Sequence, residues 1–214
     1  MRPSITVHRA GDKHLISLSQ LHQITGAHYL SGLEFVNFKT WRQIAKKTDP
    51  REMDSEHKWL SAYFRKEVLI PIRTKNPALI GINPPVLDVS LRWIDDAIGW
   101  GIFTERDFLQ TEFIAEYSGL VRKRVSQDTK NGYCFEYPLA IGVDSPYLID
   151  AQDRGGISRY INHSNKPNLT SLSVHVEGVN HIVLYTVKKI AKGEQLCYDY
   201  GPDYWKRRGT PQNL

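Results

Sequence analysis

The sequence predicts a mainly β protein of the α+β class, preceded by a helical N-terminal region. Five segments alternate between apolar and polar residues or are rich in β-branched and aromatic residues, which is typical of strands. These segments cover residues 86–93, 114–121, 133–143, 171–176 and 181–187. In the earlier part of the chain, apolar residues recur instead at helical spacing. We therefore expect short strands joined by long loops.

The beginning of the chain predicts one short strand and one short helix. Residues 5–8 read Ile-Thr-Val-His, which favours a strand. Leu18, Leu21 and Ile24 fall on one helical face, and Gly26 is a suitable stop for that helix.

Two clearer helical patterns follow. In the first, Trp41 and Ile44 share one face, and the pattern ends before Pro50. The second is predicted to begin at Asp54 or Ser55, whose side chains cap helices well. Its apolar stripe, predicted to be buried, consists of Trp59, Leu60, Tyr63, Phe64 and Val68.

A proline-rich segment divides the chain. Four prolines between residues 71 and 85 predict an extended connector. We therefore expect a mostly helical N-terminal extension in residues 1–84, a mainly β domain in residues 85–203, and a short tail in residues 204–214.

Charge is distributed unevenly among these parts. Residues 1–85 carry 13 basic against 7 acidic residues, and residues 86–203 carry 12 basic against 16 acidic ones. An acidic surface favours a lysine-rich protein partner, and a basic extension is compatible with contact to nucleic acid. An unevenly charged surface without a binding role is the alternative for the N-terminal part.

Cysteine content and hydropathy exclude several classes of protein. Cys134 and Cys197 lie far apart in separate apolar runs, so we expect packed free thiols, no disulfide framework and no metal site. No apolar run reaches the roughly 18 residues of a membrane span, and the N-terminus lacks the apolar core of a signal peptide. The chain is predicted to be soluble, with no classical export signal and no membrane contact.

Two polar segments stand out from the predicted strands. Residues 159–164, Arg-Tyr-Ile-Asn-His-Ser, place a polar loop directly after an apolar residue, and such a loop binds a ligand or caps a turn. Residues 194–201 contain Tyr198 and Tyr200, whose side chains point to the same side of an extended chain. Taken singly, the two segments are more simply explained as a turn and a half-buried strand.

Their occurrence together with two further motifs points to a known family. With Gly-Trp-Gly at residues 99–101 and Glu-Tyr-Ser-Gly at residues 116–119, the segments resemble those of SET-domain protein lysine methyltransferases. The resemblance covers roughly residues 85–205. Within the family, the ending at residues 198–206 and the entry at residues 83–85 are similar to small chlamydial-type bacterial SET proteins, regarded as effectors that act on host chromatin.

The resemblance implies S-adenosylmethionine as cofactor and a channel for a lysine side chain. Tyr200 matches the catalytic tyrosine, and Tyr117 matches the tyrosine that hydrogen-bonds the lysine from the other side. Tyr198 matches the position that limits the number of methyl groups. Tyrosine suits such a channel because its ring excludes water while its hydroxyl orients the amine. Cofactor-side positions are matched by Gly99, Trp100, Gly101, Tyr133, Arg159, Asn162 and His163.

The resemblance also implies how the cofactor side is built. In the family, Asn162 would bind the amino-acid end of the cofactor, and His163 would contribute mainly main-chain contacts to adenine. The fold implied is a set of short β-sheets around a pseudoknot. The segment ending at Ser164 then passes under a loop around Tyr200.

The sequence departs from the best-known members of the family after Gly201. Those members carry a cysteine-rich zinc module that closes the cofactor pocket, whereas no cysteine follows here. Tyr204 and Trp205 stand where aromatic side chains would cover the adenine and the mouth of the lysine channel. The alternative is that Trp205 only staples the tail to the core.

Several functions fit these residues. The leading interpretation is methyl transfer to lysine in histones or histone-like proteins. The same chemistry on a bacterium's own chromatin or ribosomal proteins is an alternative, and so is an inactive SET fold used as a binding module. The three channel tyrosines disfavour the inactive module, and the lack of nucleic-acid-binding motifs disfavours a pure nucleic-acid binder. We expect an enzyme in the bacterial cytoplasm, or one secreted into a host cell and its nucleus; its oligomeric state is left open.

Overall fold

The computed structural model describes residues 4–48, 58–69, 88–140, 144–176, 178–206 and 208. Its strands are β1 (Ser4–Arg9), β2 (Asp12–Ser17), β3 (His28–Tyr29), β4 (Glu34–Phe35), β5 (Val89–Asp95), β6 (Gly99–Thr104), β7 (Phe113–Glu116), β8 (Leu120–Lys123), β9 (Cys134–Glu136), β10 (Tyr147–Asp150), β11 (Arg154–Gly155), β12 (Asn162–His163), β13 (Leu169–Val176), β14 (Val179–Thr186) and β15 (Cys197–Tyr198). Its α-helices are α1 (His22–Thr25), α2 (Phe38–Lys47), α3 (Lys58–Tyr63) and α4 (Pro202–Trp205). Short strands in several small sheets dominate the described residues, so the prediction of a mainly β fold is confirmed.

The first sheet joins the N-terminal strands to the beginning of the β region. Its strand order is β2-β1-β5-β6. β1 and β2 form an antiparallel hairpin whose turn uses Gly11 with a φ of +88°, a conformation that favours glycine. β1 also pairs in parallel with β5, and Ile5 and Val7 are buried in the same core cluster as Leu91 and Ile102. The strand expected at residues 5–8 is therefore confirmed.

The expected helices near the N-terminus are present. A 3-10 turn at Leu18–Gln20 leads into α1, and Gly26 ends that helix with a φ of +76°. α2 is capped by Asn37, whose side-chain oxygen accepts a hydrogen bond from the Thr40 N–H at 2.8 Å. Ile44 on α2 is fully buried.

The second predicted helix is only partly buried. α3 continues as a π-helical turn over Phe64–Leu69. Leu60 and Phe64 are buried as expected, but Trp59 and Tyr63 are exposed, which corrects their assignment to the core. Positions 59 and 63 are rotated by about 100° around the helix axis from positions 60 and 64, so the buried face is narrower than the stripe predicted.

Some predictions fall outside the described residues. They are the helix start at Asp54 or Ser55, the proline-rich connector and the domain boundary at residue 84. The described part of residues 1–84 contains the β1–β2 hairpin as well as helices. Within the described ranges, no helix has both the length and the apolar character needed to cross a membrane.

Two predicted strands are shorter than expected. The segment 114–121 is divided between β7 and β8, because the chain turns at residues 117–119. A Cβ atom on Gly119 would lie 2.5 Å from the carbonyl oxygen of Asp150, so this close approach requires glycine. The strand predicted at residues 133–143 ends as β9 two residues before Pro138, which cannot donate to a strand ladder.

A five-stranded sheet brings the two polar segments together. Its order is β12-β15-β13-β14-β7. β12 and β15 pair in parallel, and the Ser164 N–H donates to the Tyr198 carbonyl at 3.2 Å. The segment 159–164 therefore lies beside the segment 194–201, as the expected pseudoknot requires.

Candidate active site

One cleft of about 1450 Å³ contains nearly all the predicted site residues. Its walls come from β6, β9, the segment 157–163, β15 and α4, with residues of β1 and α1 at one side. Gly101 is the only predicted site residue that does not line the cleft, and it follows Trp100 directly in β6. The predicted site residues that line the cleft are Tyr117, Tyr198, Tyr200, Gly99, Trp100, Tyr133, Arg159, Asn162, His163, Tyr204 and Trp205.

Aromatic rings form a continuous row along the cleft. The ring centroids of Tyr198 and Tyr200 lie 4.8 Å apart, so the expected placement of these phenols on one side is confirmed. Phe135 lies 5.1 Å from Tyr117 and 6.4 Å from Tyr198, between centroids, and connects them. Phe135 was predicted only as a strand residue. Its spacing of two from Tyr133, which also lines the cleft, is the signal that could have identified it.

The three phenols are neutral hydrogen-bonding groups. The Tyr117 hydroxyl donates to the Tyr133 carbonyl at 2.9 Å, and the Tyr200 hydroxyl donates to the Ile161 carbonyl at 2.8 Å. The Tyr198 hydroxyl has no hydrogen-bond partner in the described part of the chain. Burial, with smaller contributions from neighbouring groups, raises the pKa of all three phenols well above the ordinary value of tyrosine. They therefore stay protonated at physiological pH.

The Gly-Trp-Gly turn is held tightly against Asn162. Gly99 has a φ of +78°, a conformation that favours glycine. A Cβ atom on Gly101 would lie 2.7 Å from Cδ1 of Ile94 and 3.2 Å from Nδ2 of Asn162. The Asn162 side-chain amide donates to the Trp100 carbonyl at 3.1 Å. Gly101 thus makes room for the Asn162 amide. The amide oxygen has no hydrogen-bond partner among the described residues.

Arg159 supports the wall of the cleft. Its Nε donates to the Ala151 carbonyl at 2.6 Å, and its Nη2 donates to the Gln152 carbonyl at 2.8 Å. The guanidinium carbon also lies 4.0 Å from the ring centroid of Tyr133. The Arg159 side chain is buried and committed to these contacts, so it positions Tyr133 instead of offering a free cation.

His163 links the cleft to the C-terminal segment. Its Nδ1 accepts a hydrogen bond from the Tyr200 N–H at 3.2 Å, so the hydrogen is assigned to Nε2, which lies 3.1 Å from Oδ1 of Asn165. Its ring centroid lies 4.8 Å from that of Trp205. Because the side chain is occupied, a ligand would meet His163 through its main chain.

The C-terminal aromatics pack at the edge of the cleft. The Tyr204 ring lies 4.7 Å from that of Tyr200, and the Trp205 ring is nearly parallel to the Tyr200 ring at 6.1 Å, between centroids. The guanidinium of Arg208 lies 4.2 Å from the Tyr204 ring centroid. These contacts attach the tail to the core, which was the alternative role expected for Trp205. They also place both aromatic rings at the border of the cleft.

The cleft has the chemical character that S-adenosylmethionine requires. Tyr160 Oη and Trp205 Nε1 are buried without hydrogen-bond partners among the described residues, and both residues line the cleft. An unpaired buried donor is costly, so these atoms fit a bound polar ligand. The Asn162 amide and the aromatic faces supply the polar and apolar surfaces that an amino-acid group and an adenine ring need. In the same described ranges, no group of three or more His, Cys, Asp or Glu side chains is placed to hold a metal ion.

Comparison with known proteins finds one family. The profile of the SET domain matches residues 99–201. Histone-lysine N-methyltransferase 2B of Homo sapiens is 36% identical over 109 residues, which are 48% of this chain and 4% of the human protein. The H3 lysine-4 specific histone-lysine N-methyltransferase of Chaetomium globosum is 38% identical over 110 residues, 47% of this chain and 10% of the fungal protein. This chain therefore spans a small part of the length of these relatives.

Partial likeness to two solved structures is also found. The structure of SUVH6 from Arabidopsis thaliana in complex with SAM is 28% identical with a TM-score of 0.45, covering 53% of this chain and 28% of that one. The structure of Kryptonite in complex with DNA, an H3(1-15) peptide and SAH is 26% identical with a TM-score of 0.47, covering 56% of this chain and 25% of that one. The organisms named are eukaryotes, and the narrower likeness to chlamydial-type proteins stays a prediction.

Proposed function

Residues 99–201 form a SET domain, and from this premise we propose that the protein is an S-adenosylmethionine-dependent protein lysine N-methyltransferase. The observation that carries the proposal is the row of phenols of Tyr117, Tyr198 and Tyr200 in one cleft with the Asn162 amide. The relatives named as histone-lysine methyltransferases support the reaction type, and the match of the SET-domain profile supports the cofactor.

The chain's residues divide between the two reactants. When bound, S-adenosylmethionine supplies a methyl group on a sulfonium, which an amine can displace. We assign the amino-acid end of the cofactor to Asn162 and the main chain of residues 99–101. The adenine end is assigned to Tyr133, the His163 main chain and the aromatics of α4. Holding two reactants in line contributes several kcal/mol of the barrier reduction through proximity.

In the proposed reaction, the channel formed by the phenols must hold the lysine amine in its neutral form. A channel of aromatic rings removes water from the ammonium group, and this lowers the lysine pKa. The hydroxyls of Tyr117 and Tyr200 already donate to main-chain carbonyls. Because a hydroxyl has one hydrogen and two lone pairs, each remains able to accept an N–H from the amine. Two acceptors on opposite sides would orient the lone pair of nitrogen toward the methyl group.

The proposed substrate is a histone or a histone-like basic protein. Residues 86–203 carry an excess of acidic residues, and the exposed side chain of Asp144 lines the cleft. Such a surface attracts lysine-rich segments. Another basic protein of a bacterial cell would meet the same surface, so the choice between them is a matter for the assay below.

The proposal is tested with labelled S-adenosylmethionine. Purified histones, bacterial DNA-packaging proteins and ribosomal proteins are incubated with the wild-type chain and with the Tyr200→Phe variant. We expect label on lysine in at least one basic protein with the wild type and much less with the variant. Label in none of them, from a preparation that binds S-adenosylhomocysteine, would favour a binding module instead.

Tyr198→Phe should raise the number of methyl groups added to one lysine. The Tyr198 ring lies between those of Tyr200 and Phe135, and its hydroxyl has no partner among the described residues. Removing that hydroxyl frees space for about one water molecule, and therefore for a further methyl group. We expect mono- or dimethylation by the wild type and a shift to the next state in the variant, measured by mass spectrometry on a defined lysine peptide.

A matched control for this prediction is Tyr185→Phe. Tyr185 is also a buried phenol, but it lies on β14 and does not line the cleft. Its variant should leave the product distribution unchanged. An unchanged distribution in the Tyr198 variant at comparable rate would show that Tyr198 does not face the amine.

The value of kcat/KM should rise with pH, and ionisation of the channel tyrosines should not make it fall again. The amine must lose a proton before attack, so kcat/KM increases as the lysine deprotonates. Since burial raises the pKa of the channel phenols well above their usual value of about 10, they stay neutral over the whole range up to about pH 9.5. A fall in kcat/KM below pH 9 with the fold intact would show that one phenol ionises there.

Stability should instead decline at high pH. Burial raises the pKa of Tyr29 to about 12, and it raises the pKa of the channel phenols as well. The folded state therefore binds these protons more tightly than the unfolded state, so their stabilising contribution is complete below roughly pH 10 and is lost as the pH rises above it. We expect the thermal midpoint, measured at a series of pH values, to fall from about pH 10 upward.

A further inference from the structure

The cleft contains four arginines, and three of them are already engaged. Arg159 is bound to main-chain carbonyls and to Tyr133, as described above. The Arg208 guanidinium donates to the carbonyls of Tyr204 and Asp128 and covers the Tyr204 ring. Arg124 donates to the Glu136 carboxylate at 2.9 Å. Their charges or donors are therefore largely used within the protein.

Arg9 is different from these three. It is the last residue of β1, its side chain is exposed, and it lines the cleft from the N-terminal side. In the described part of the chain, the Arg9 guanidinium makes no hydrogen bond or ion pair, and its described contacts are with two tryptophan rings. Its central carbon lies 4.9 Å from the Trp93 ring centroid and 5.8 Å from that of Trp100. The two rings meet edge to face at 5.2 Å.

Trp100 connects this cation to the proposed cofactor site. The Arg9 guanidinium lies over the Trp100 ring, and the Trp100 carbonyl accepts a hydrogen bond from the Asn162 amide at 3.1 Å. The pairing of β1 with β5, and of β5 with β6, fixes the arginine beside the Gly-Trp-Gly turn. A cation with all its N–H donors unpaired therefore lies beside the turn to which the amino-acid end of the cofactor is assigned.

We propose that Arg9 binds the carboxylate of the cofactor's amino-acid end, so that the N-terminal hairpin supplies a cofactor-binding residue from outside the SET domain. This inference rests on the proposed function. An arginine pairs with a carboxylate through parallel N–H···O hydrogen bonds, and the two tryptophan faces hold the guanidinium without consuming its donors. Residue 9 lies far outside the residues matched by the family profile, 99–201.

The test compares two ligands that differ in the amino-acid group, which includes the carboxylate. S-Adenosylhomocysteine carries the amino-acid group, whereas 5′-methylthioadenosine keeps the adenosine and thioether and lacks it. Their dissociation constants are measured by calorimetry for the wild type, Arg9→Gln and Arg9→Lys. The control is Lys13→Gln, which removes an exposed cation on β2 that does not line the cleft.

Arg9→Gln should weaken the binding of S-adenosylhomocysteine roughly tenfold or more, as expected for loss of a hydrogen-bonded charged partner. The same variant should change the dissociation constant of 5′-methylthioadenosine less than about twofold. Arg9→Lys should recover part of the loss, and Lys13→Gln should match the wild type. Equal weakening of both ligands, or no weakening of either, would overturn the carboxylate contact while leaving the proposed function intact. Failure of the wild type to bind S-adenosylhomocysteine would instead reject the proposed function and this inference with it.

Discussion

Tyr200→Phe should lower the methyl-transfer rate by roughly 10² to 10³-fold, by analogy with the loss of one oriented donor from an oxyanion hole. The ring would remain, and with it the contacts to Tyr198, Tyr204 and Trp205 that hold the cleft together. Only the hydroxyl, which donates to the Ile161 carbonyl, would be lost. We therefore expect the dissociation constant for S-adenosylhomocysteine to stay within about twofold, because the effect belongs to the reacting amine.

Asn162→Ala is the reciprocal control. It removes the amide that lies against the Trp100 carbonyl and Gly101, so it should weaken cofactor binding first. Single-turnover rates at saturating cofactor separate the two variants, since only Tyr200→Phe should remain slow there. If calorimetry shows a collapse of cofactor affinity in Tyr200→Phe, Tyr200 belongs to the cofactor pocket and the assignment is wrong.

Much of the cleft could be predicted from the sequence because its residues lie in short motifs. Each motif supplies neighbouring residues whose relative placement is set by local geometry, such as the same-side placement of Tyr198 and Tyr200 in an extended segment. Four such motifs in one order specify a known arrangement, and the structure brings them to one cleft. The pairing of residues 159–164 with residues 194–201 was predicted from the resemblance to the SET family and not from hydrophobic periodicity.

What the sequence did not reveal depends on contacts between distant residues. The parallel pairing of β1 with β5 joins residues about eighty positions apart, and no local pattern near Arg9 indicates it. The division of the strand predicted at residues 114–121 depends on how close Gly119 comes to the Asp150 carbonyl. Burial of Leu60 but not of Trp59 likewise depends on which helix face meets the core. In each case the deciding partner is remote in sequence.

The C-terminal segment is held to the body of the protein by a few specific contacts. The Tyr204 hydroxyl lies so close to Gly132 that a Cβ atom there would be 3.2 Å away. The Arg208 guanidinium donates to the carbonyls of Asp128 and Asn131, and it also covers the Tyr204 ring. The carboxylate of Asp128 is in turn paired with Arg122. The segment therefore borders the cleft through contacts of its own side chains.

Deletion of residues 204–214 should weaken S-adenosylhomocysteine binding and activity together, although residues at a terminus are ordinarily expendable. The deletion removes the Trp205 ring from its contact with His163 and the Tyr204 ring from Tyr200. It would therefore expose to water the end of the cleft that we propose for adenine. Loss of two large aromatic contacts should cost roughly tenfold or more in affinity.

Deletion of residues 209–214 alone is the matched control, because it removes none of the contacts described and should bind as the wild type does. Calorimetry on both truncated proteins, with circular dichroism to confirm folding, distinguishes closure of the cofactor pocket by Tyr204 and Trp205 from simple attachment of the tail. A folded protein that lacks residues 204–214 and binds S-adenosylhomocysteine unchanged would show that Tyr204 and Trp205 only fasten the tail. Weakened binding in that protein alone would show that these aromatics close the pocket.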